Sequence, residues 1–206
     1  MKVLVLAAVV ALLLSACGNA GSSSNHAALT PARAATVSTA TTPASSSTGA
    51  STVTSEATQL ARYDGYGDMR FGMDANAFEK AWSGKLADTT PAPGSSCFYR
   101  RPMWVKQPRD FAFMFEGGHF VRYEVGTTKE AAPGGGKVGM SEAQIRALYG
   151  SNLDDEPHKY MTGAKYLRIK APQGDGVLLF ETGADGRVTR WRVGVPPQID
   201  YVEGCA

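Results

Sequence analysis

Large apolar and charged residues are scarce in the first part of the chain. Residues 18–58 are mostly Ser, Thr, Ala, Gly and Pro, with one basic residue, Arg33, and one acid, Glu56. Such a composition cannot bury enough apolar surface to offset the conformational entropy lost on folding. We therefore expect a disordered tether over 17–58 and a folded module over 59–206, which is a common size for one domain.

No hydrophobic run is long enough to cross a membrane as a helix. Residues 3–14 are apolar and follow Met1-Lys2, but a membrane-spanning helix needs about 20 residues. The run has the length of a signal-peptide core and ends at Leu14-Ser15-Ala16-Cys17-Gly18. This ending resembles the lipobox of bacterial lipoproteins. The resemblance implies a signal peptide over 1–16, acylation of Cys17 by fatty acids such as palmitate, and anchoring in the lipid bilayer.

The residue after the lipidated position gives an expectation about localisation. It is Gly18 rather than Asp, which by analogy with bacterial lipoproteins favours the outer membrane, facing the periplasm or the surface. A plain secretory signal with an accidental Cys17 remains the alternative. In either case the folded module lies outside the cytoplasm.

Cysteine is rare, with three in the chain. If Cys17 carries lipid, Cys97 and Cys205 remain, and an even pair in an exported chain predicts a disulfide. No His stands at metal-ligand spacing near either residue, which favours a structural bond over a metal site or a nucleophilic thiol. A closed loop of about 100 residues contributes about 4–5 kcal/mol in the chain-entropy model. The bond would also hold the C-terminal tail.

The folded module lacks the usual signals of nucleic-acid binding, metal binding and nucleophilic catalysis. The net charge is +2, so no nucleic-acid partner is expected. No Gly-x-Ser-x-Gly motif occurs after residue 58. His26 lies in the tether, His119 at an expected turn, and His158 in a charged loop, 154–160, that could hold a cation but is better interpreted as solvated. We expect no cofactor, metal or catalytic residue, although paired carboxylates of a hydrolase could still meet in space.

The most informative pattern is an internal repeat. Phe71-Gly72-Met73-Asp74 recurs as Val138-Gly139-Met140-Ser141, and each predicts a helix start capped by its last residue. In the second copy Ser141 and Gln144 form a predicted capping box. The helices are expected to end at Gly84 and Gly150.

A predicted β-hairpin follows each helix. Residues 113–116 lead through a Gly-containing turn to 120–126, and residues 178–181 lead through a turn three residues longer to 188–194. Another strand candidate precedes each hairpin, at 98–101 and 165–170. The pattern predicts an α+β fold in which two tandem helix-plus-antiparallel-strand repeats, 66–126 and 137–206, form one sheet with helices on one face.

Alternation along the strands assigns side chains to faces. Val121, Tyr123 and Val125, with Thr189, Trp191 and Val193, are expected on the helix side. The opposite face would be open, basic and partly aromatic. Because Arg and aromatic residues anchor many interfaces, we predict that this face binds a partner through Phe120, Arg122, Tyr166, Arg168, Lys170, Arg190 and Arg192.

The helix starts and following strands resemble a known superfamily. Gly139-Met140-Ser141 with Gln144, and the less typical Gly72-Met73-Asp74, are similar to the β-lactamase-inhibitor-protein-like fold that is shared with small outer-membrane assembly lipoproteins of the SmpA/OmlA type. The resemblance implies a non-catalytic binding module for an envelope protein, either an assembly factor or an inhibitor. We expect the chain to be a monomer. The inhibitor's partner-contacting residues have no match here. The ending Tyr201-Val202-Glu203-Gly204-Cys205 is faintly similar to exported lectin-like proteins, which keeps glycan or cell-wall binding as the alternative.

Overall fold

The computed structural model describes residues 59–205. The expected signal peptide, Cys17 and the tether lie outside the described residues. Within the described part, no helix is long and apolar enough to cross a membrane.

The fold is mostly β, with one large antiparallel sheet and few helices. A three-stranded sheet at the start is formed by β1 (Ala61–Arg62), β2 (Gly65–Tyr66) and β3 (Met69–Arg70). The two α-helices are α1 (Ala75–Ala81) and α2 (Glu142–Tyr149). The eight strands of the large sheet are β4 (Leu86–Asp88), β5 (Phe98–Pro102), β6 (Phe111–Glu116), β7 (His119–Val125), β8 (Leu153–Pro157), β9 (Lys165–Lys170), β10 (Val177–Thr182) and β11 (Val188–Gly194).

The order across the large sheet is β4-β5-β6-β7-β11-β10-β9-β8. Each half is therefore a four-stranded meander, and the halves join where β7 pairs with β11. At this junction Glu124 lies opposite Arg192, flanked by the pairs Tyr123–Val193 and Val125–Trp191. The six strands expected from the sequence are present. The edge strands β4 and β8 were not expected, since they are short or too polar to show an alternating pattern.

Both helix starts are capped as the sequence predicts. The Asp74 carboxylate accepts hydrogen bonds from the backbone N–H groups of Asn76 and Ala77. Ser141 and Gln144 form the predicted capping box. Helix α2 is followed by Gly150 as predicted, but α1 ends at Ala81, ahead of the expected stop at Gly84.

A β-bulge in each hairpin changes the expected faces of several residues. The register shifts at Met114/Phe115 and at Glu181/Thr182, so that Phe115 pairs with Phe120 and Thr182 with Val188. An extra residue in a strand interrupts the two-residue alternation. The expectation that Phe120 lies on the open face is therefore wrong, because Phe120 and Val188 are fully buried in the core on the helix side.

The same bulges move two residues off the helix side, where they were expected: Val121 and Thr189, the latter exposed. Val121 leaves the helix side and packs with Met114 and Cys97 on the opposite face. Tyr123 and Trp191 hold their expected places in the core. The sheet pairs Phe113 with Tyr123 and Phe180 with Trp191. Phe113 therefore corresponds to Phe180, two residues beyond Leu178, with which the sequence repeat had matched it. The second turn, 183–187, is three residues longer than the first, 117–118, as the sequence predicts.

Candidate binding face and the segment that covers it

The C-terminal segment crosses the face of the large sheet that was expected to be open. Residues 195–205, which we call the C-terminal strap, leave β11 and run over the middle strands to the start of β5. Ile199 in the strap is fully buried against Tyr166, Val177 and Leu179. The expectation of a bare face is therefore wrong at its centre, because the chain's own C-terminus occupies it.

Arg122 is a structural residue beneath the strap. Its guanidinium donates to the carbonyl oxygens of Gln198 at 2.9 Å and Tyr201 at 2.8 Å, and to the Glu124 carboxylate at 2.6 Å. Its side chain is only 2% exposed. The same guanidinium donates to the Tyr99 hydroxyl, and burial, reinforced by the negative charge of Glu124, raises the pKa of Tyr99 to about 12. Arg122 therefore cannot contact a partner while the strap is in place.

Arg192 has a similar role in the other half of the sheet. Its Nε donates to the Ile199 carbonyl oxygen at 2.9 Å and its Nη1 to Glu181 at 3.2 Å. Burial lowers the pKa of Arg192, with a further contribution from the positive charge of Arg122. Its guanidinium lies 5.7 Å from the centre of the buried Tyr166 ring. Both arginines thus hold the strap down with charge-assisted hydrogen bonds.

His158 is bound on both ring nitrogens. Its Nδ1 lies 3.1 Å from the backbone nitrogens of Tyr160 and Met161, and its Nε2 lies 3.1 Å from the Glu181 carboxylate. The ring also stacks on Tyr166 with centroids 4.7 Å apart. Two backbone donors require Nδ1 to accept, so the proton of the neutral ring is on Nε2. His158 therefore organises the loop before β9. Between residues 59 and 205, no group of three or more His, Cys, Asp or Glu side chains is arranged to hold a metal ion.

Both ends of the strap are anchored. A disulfide joins Cys97 to Cys205, with the Cα atoms 5.2 Å apart. Glu203 contacts the loop before β9, pairing with Lys159 at 3.6 Å and accepting a hydrogen bond from the Tyr160 hydroxyl. At the start of the strap, the Val195 N–H donates to the Val121 carbonyl oxygen. The disulfide and the hydrogen bonds together make the strap part of the folded module.

Three of the seven predicted binding residues keep access to solvent. Arg168 is partly exposed and pairs with Asp200 of the strap at 2.5 Å, whereas Lys170 is exposed and Arg190 is 36% exposed. Arg168 and Lys170 lie side by side in a groove of about 790 Å³ at the end of the sheet. We call it the Arg168 groove; its other lining residues include Phe71, Val121, Asp175, Val177, Val195 and Pro196.

The structure thus divides the predicted binding set. Phe120 lies in the core, Arg122, Tyr166 and Arg192 lie under the strap, and the accessible basic residues are at its margins. Sequence reasoning missed the apolar residues of the groove, Val195 and Pro196 among them. The signal that could have found them is the disulfide prediction itself, since Cys205 can reach Cys97 only if the intervening tail crosses the sheet.

Comparisons with known proteins give no family for this chain. No protein-family model matches it, and no curated protein does. Among solved structures, an extracellular protein with an SCP domain from Bacillus anthracis str. Ames matches with a TM-score of 0.39 and 12% identity over 61% of this chain, and the match spans 44% of that protein. The uncharacterized protein yfeY from Escherichia coli matches with a TM-score of 0.38 and 15% identity, over 65% of this chain and 98% of that one.

Proposed function

We propose that the protein is a membrane-anchored envelope lipoprotein whose folded part is a non-catalytic module that binds a protein partner, as an assembly factor or an inhibitor. The anchor is Cys17, acylated after removal of residues 1–16, and residues 17–58 act as a tether. Outer-membrane localisation belongs to the same proposal. Replacing Cys17 with Ser should abolish incorporation of labelled palmitate and release the protein from the membrane fraction. Membrane association of Cys17→Ser at the wild-type level would contradict the anchor.

The binding role rests mainly on the Arg168 groove. Its apolar floor includes Val121, Val177 and Val195, and two cations, Arg168 and Lys170, stand at its side. Ligand sites typically combine a concave apolar surface with a few oriented polar groups. Lys170 has no carboxylate within 4.0 Å among the described residues, whereas Arg168 is paired with Asp200. An acidic peptide segment with apolar side chains has the chemistry that fits this groove.

The edges of the sheet are less suited to recognition by strand addition. The edge strand β8 carries exposed Asp154, Asp155 and Glu156 and ends at Pro157. Charges and Pro on an edge prevent pairing with another strand. The opposite edge strand, β4, has three residues. Side-chain recognition in a groove is therefore favoured over addition of a partner's strand.

The way in which the central charges are used supports the non-catalytic proposal. Arg122, Glu124, Glu181, Arg192 and His158 all bind one another or the strap backbone. A general base needs a free basic atom facing a substrate, and the two nitrogens of His158 are both occupied. Turnover of any substrate by the purified protein, lost on substitution of a carboxylate, would favour the hydrolase alternative instead.

The proposed fold is a tandem duplication, with one unit over 66–126 and one over 137–206. Equivalent hydrogen bonds support it: Gly72 N–H donates to the Phe120 carbonyl, and Gly139 N–H donates to the Val188 carbonyl. The backbone N–H groups of Phe120 and Val188 donate back to Met73 and Met140. The mirrored strand order and the two matching bulges add support. Arg122 and Arg190 then occupy the same position in their units.

A charge reversal in the groove tests the proposed function. Full-length protein carrying Lys170→Glu, with Lys85→Glu as a matched reversal of an exposed lysine elsewhere, would be used to capture envelope proteins. A captured partner would then be purified and titrated against each variant. We expect Lys170→Glu to weaken binding by roughly 10-fold or more if the residue is central to the interface, and Lys85→Glu to bind as wild type. Equal affinity of Lys170→Glu and wild type would overturn the assignment of the groove.

A further inference from the structure

A second surface shares no lining residue with the Arg168 groove and carries an exposed aromatic side chain, Trp104, which we call the platform. Trp104 lies in the loop between β5 and β6 and is 71% exposed, next to Met103 at 59%. The other two tryptophans differ, since Trp82 is partly buried and Trp191 is fully buried. A Trp side chain has a large apolar surface that is normally removed from water. Trp104 therefore leaves most of this apolar surface in contact with water.

The loop holds Trp104 in a defined orientation. The Met103 N–H donates to the Lys85 carbonyl at 3.0 Å, and the Val105 N–H donates to the Pro102 carbonyl at 2.9 Å. Val105 is buried in the main core. The indole lies nearly parallel to Phe111, with 10° between the planes and 6.3 Å between centroids. The buried Val105 and the neighbouring Phe111 ring anchor the loop beside an indole that is mostly exposed. A ring presented from an anchored loop loses less conformational freedom on binding than one on a mobile segment.

The surroundings of the platform are polar and electrically balanced. A shallow pocket of about 230 Å³ beside it is lined by Lys106, Asp110, Thr127, Lys129 and Glu130. No two of these four charged side chains form an ion pair within 4.0 Å in the described part of the chain. Two ammonium groups and two carboxylates offer both donors and acceptors without favouring a charged ligand. The pocket is smaller than the roughly 300–1,000 Å³ of drug-sized sites, which suits a single ring.

We propose that Trp104 and the adjoining pocket form a saccharide-binding subsite for a neutral sugar ring, such as one unit of an envelope glycan. The apolar C–H face of a pyranose would stack on the exposed indole, and its hydroxyls would exchange hydrogen bonds with Asp110, Glu130, Lys106 and Lys129. A polyol needs donors and acceptors in balance together with a flat apolar surface, and both are present. This site goes beyond the proposed protein-binding groove and does not depend on it.

Oligosaccharide titrations of the full-length protein test the subsite, in a detergent without a sugar headgroup. The probes are soluble oligomers of N-acetylglucosamine, cello-oligosaccharides, malto-oligosaccharides and muramidase-digested peptidoglycan. Their binding is measured by calorimetry and by tryptophan fluorescence. We expect one class to bind saturably and to change the emission of Trp104. Trp104→Ala should weaken binding by roughly 10-fold or more, as for loss of a central aromatic anchor. Trp104→Phe should retain part of the affinity, and the matched control Trp82→Phe should bind as wild type.

Three results would overturn the subsite. One is failure of every probe to bind at ~10 mM, which is weaker than ordinary specific recognition. Another is equal affinity of wild type and Trp104→Ala. The third is that Trp104→Ala abolishes capture of a protein partner while no saccharide binds, which would make Trp104 an anchor for protein. If instead the Arg168 groove does not bind a protein partner, Lys170→Glu will not weaken partner binding. The saccharide titrations will be unchanged in that case, so the two proposals can fail separately.

Discussion

The two halves of the large sheet have the same strand order but different cores. In the first half, the helix residue Phe78 contacts the rings of Phe113, Phe115 and Phe120, with centroids 4.9–5.0 Å apart. In the second half the equivalent helix residue is Ile145, and its core is mainly aliphatic. The halves share a Gly-Met pair at each helix start, Gly72-Met73 and Gly139-Met140, and one bulge in each hairpin. Backbone constraints at the helix starts and hairpins therefore define this architecture, while the side chains that fill the two cores differ.

The C-terminal strap is attached to the two halves by different kinds of bond. It is joined to the first by the Cys97–Cys205 disulfide and to the second by the Arg168–Asp200 ion pair. We expect replacement of both cysteines by Ser to lower the free energy of unfolding by about 4–5 kcal/mol, because the bond closes a loop of 108 residues. Asp200→Ala, which removes a partly exposed pair, should cost less than about 1 kcal/mol. Urea unfolding measures both. Similar losses for the two variants would contradict this asymmetry.

Truncation of the helix residue compares the cores directly. Phe78→Ala should cost about 4 kcal/mol, since a fully buried ring is lost from an aromatic cluster. Ile145→Ala should cost about 3 kcal/mol, because the side chain is smaller and equally buried. Chemical denaturation of both variants measures the difference, and Phe78→Leu serves if Phe78→Ala does not fold. A larger loss of unfolding free energy from Ile145→Ala than from Phe78→Ala would contradict the view that the first half depends more on its helix residue than the second half does.

The equivalent arginines at the two bulges should respond differently. Arg122→Met removes one partner of a buried pair and leaves Glu124 and two strap carbonyls without their donor, at a cost of about 3 kcal/mol. Arg190 is 36% exposed and its nearest Glu181 oxygen is 3.9 Å away. Arg190→Met should therefore change stability by about 0.5 kcal/mol or less. Thermal unfolding separates these results. Comparable losses at both positions would show that Arg122 is not specifically required by the strap.

The helix caps should give the smallest effect. Hydrogen bonds from the Ala77 and Asn76 amides lower the pKa of Asp74, so its cap stabilises α1 above the unfolded pKa and is lost as pH falls through the folded value. Ser141, which caps α2, does not titrate. The rate of hydrogen exchange at the backbone amides of Asn76 and Ala77, corrected for the intrinsic exchange rate, should increase as the pH falls below 3.8, the ordinary carboxyl pKa. Asp74→Ser should remove this pH dependence. Unchanged protection of wild type through that range would contradict the role of the Asp74 carboxylate.

Much of the local structure was predictable from the sequence. The two caps, six of the eight strands of the large sheet and the central Tyr123 and Trp191 follow from short-range rules of capping and alternation. The faces of Phe120, Val121 and Val188 were not predictable, because a bulge forms where turn geometry and core packing meet, and no residue type marks it. The polar strand β8 was missed because its order comes from pairing with β9 rather than from its own apolar residues.

The candidate site was harder to predict for a related reason. The sequence pattern placed the basic residues on one face, but Arg122 and Arg192 are bound by backbone carbonyl groups of the strap, which is distant from Arg122 in sequence. Backbone carbonyls are present in every residue and leave no pattern in the sequence. Only the long-range pairing of Cys97 with Cys205 carried that information, and it specified where the tail ends rather than what it covers.

Hydrogen exchange of the protein with and without its captured partner tests most directly whether recognition uses the groove beside the strap. We predict that the partner slows amide exchange in the segments that line the Arg168 groove, namely the end of β9, the loop to β10 and the start of the strap at Val195. Protection confined to α1 and α2, or to the loop that carries Trp104, with no change around Arg168 and Lys170, would contradict the account.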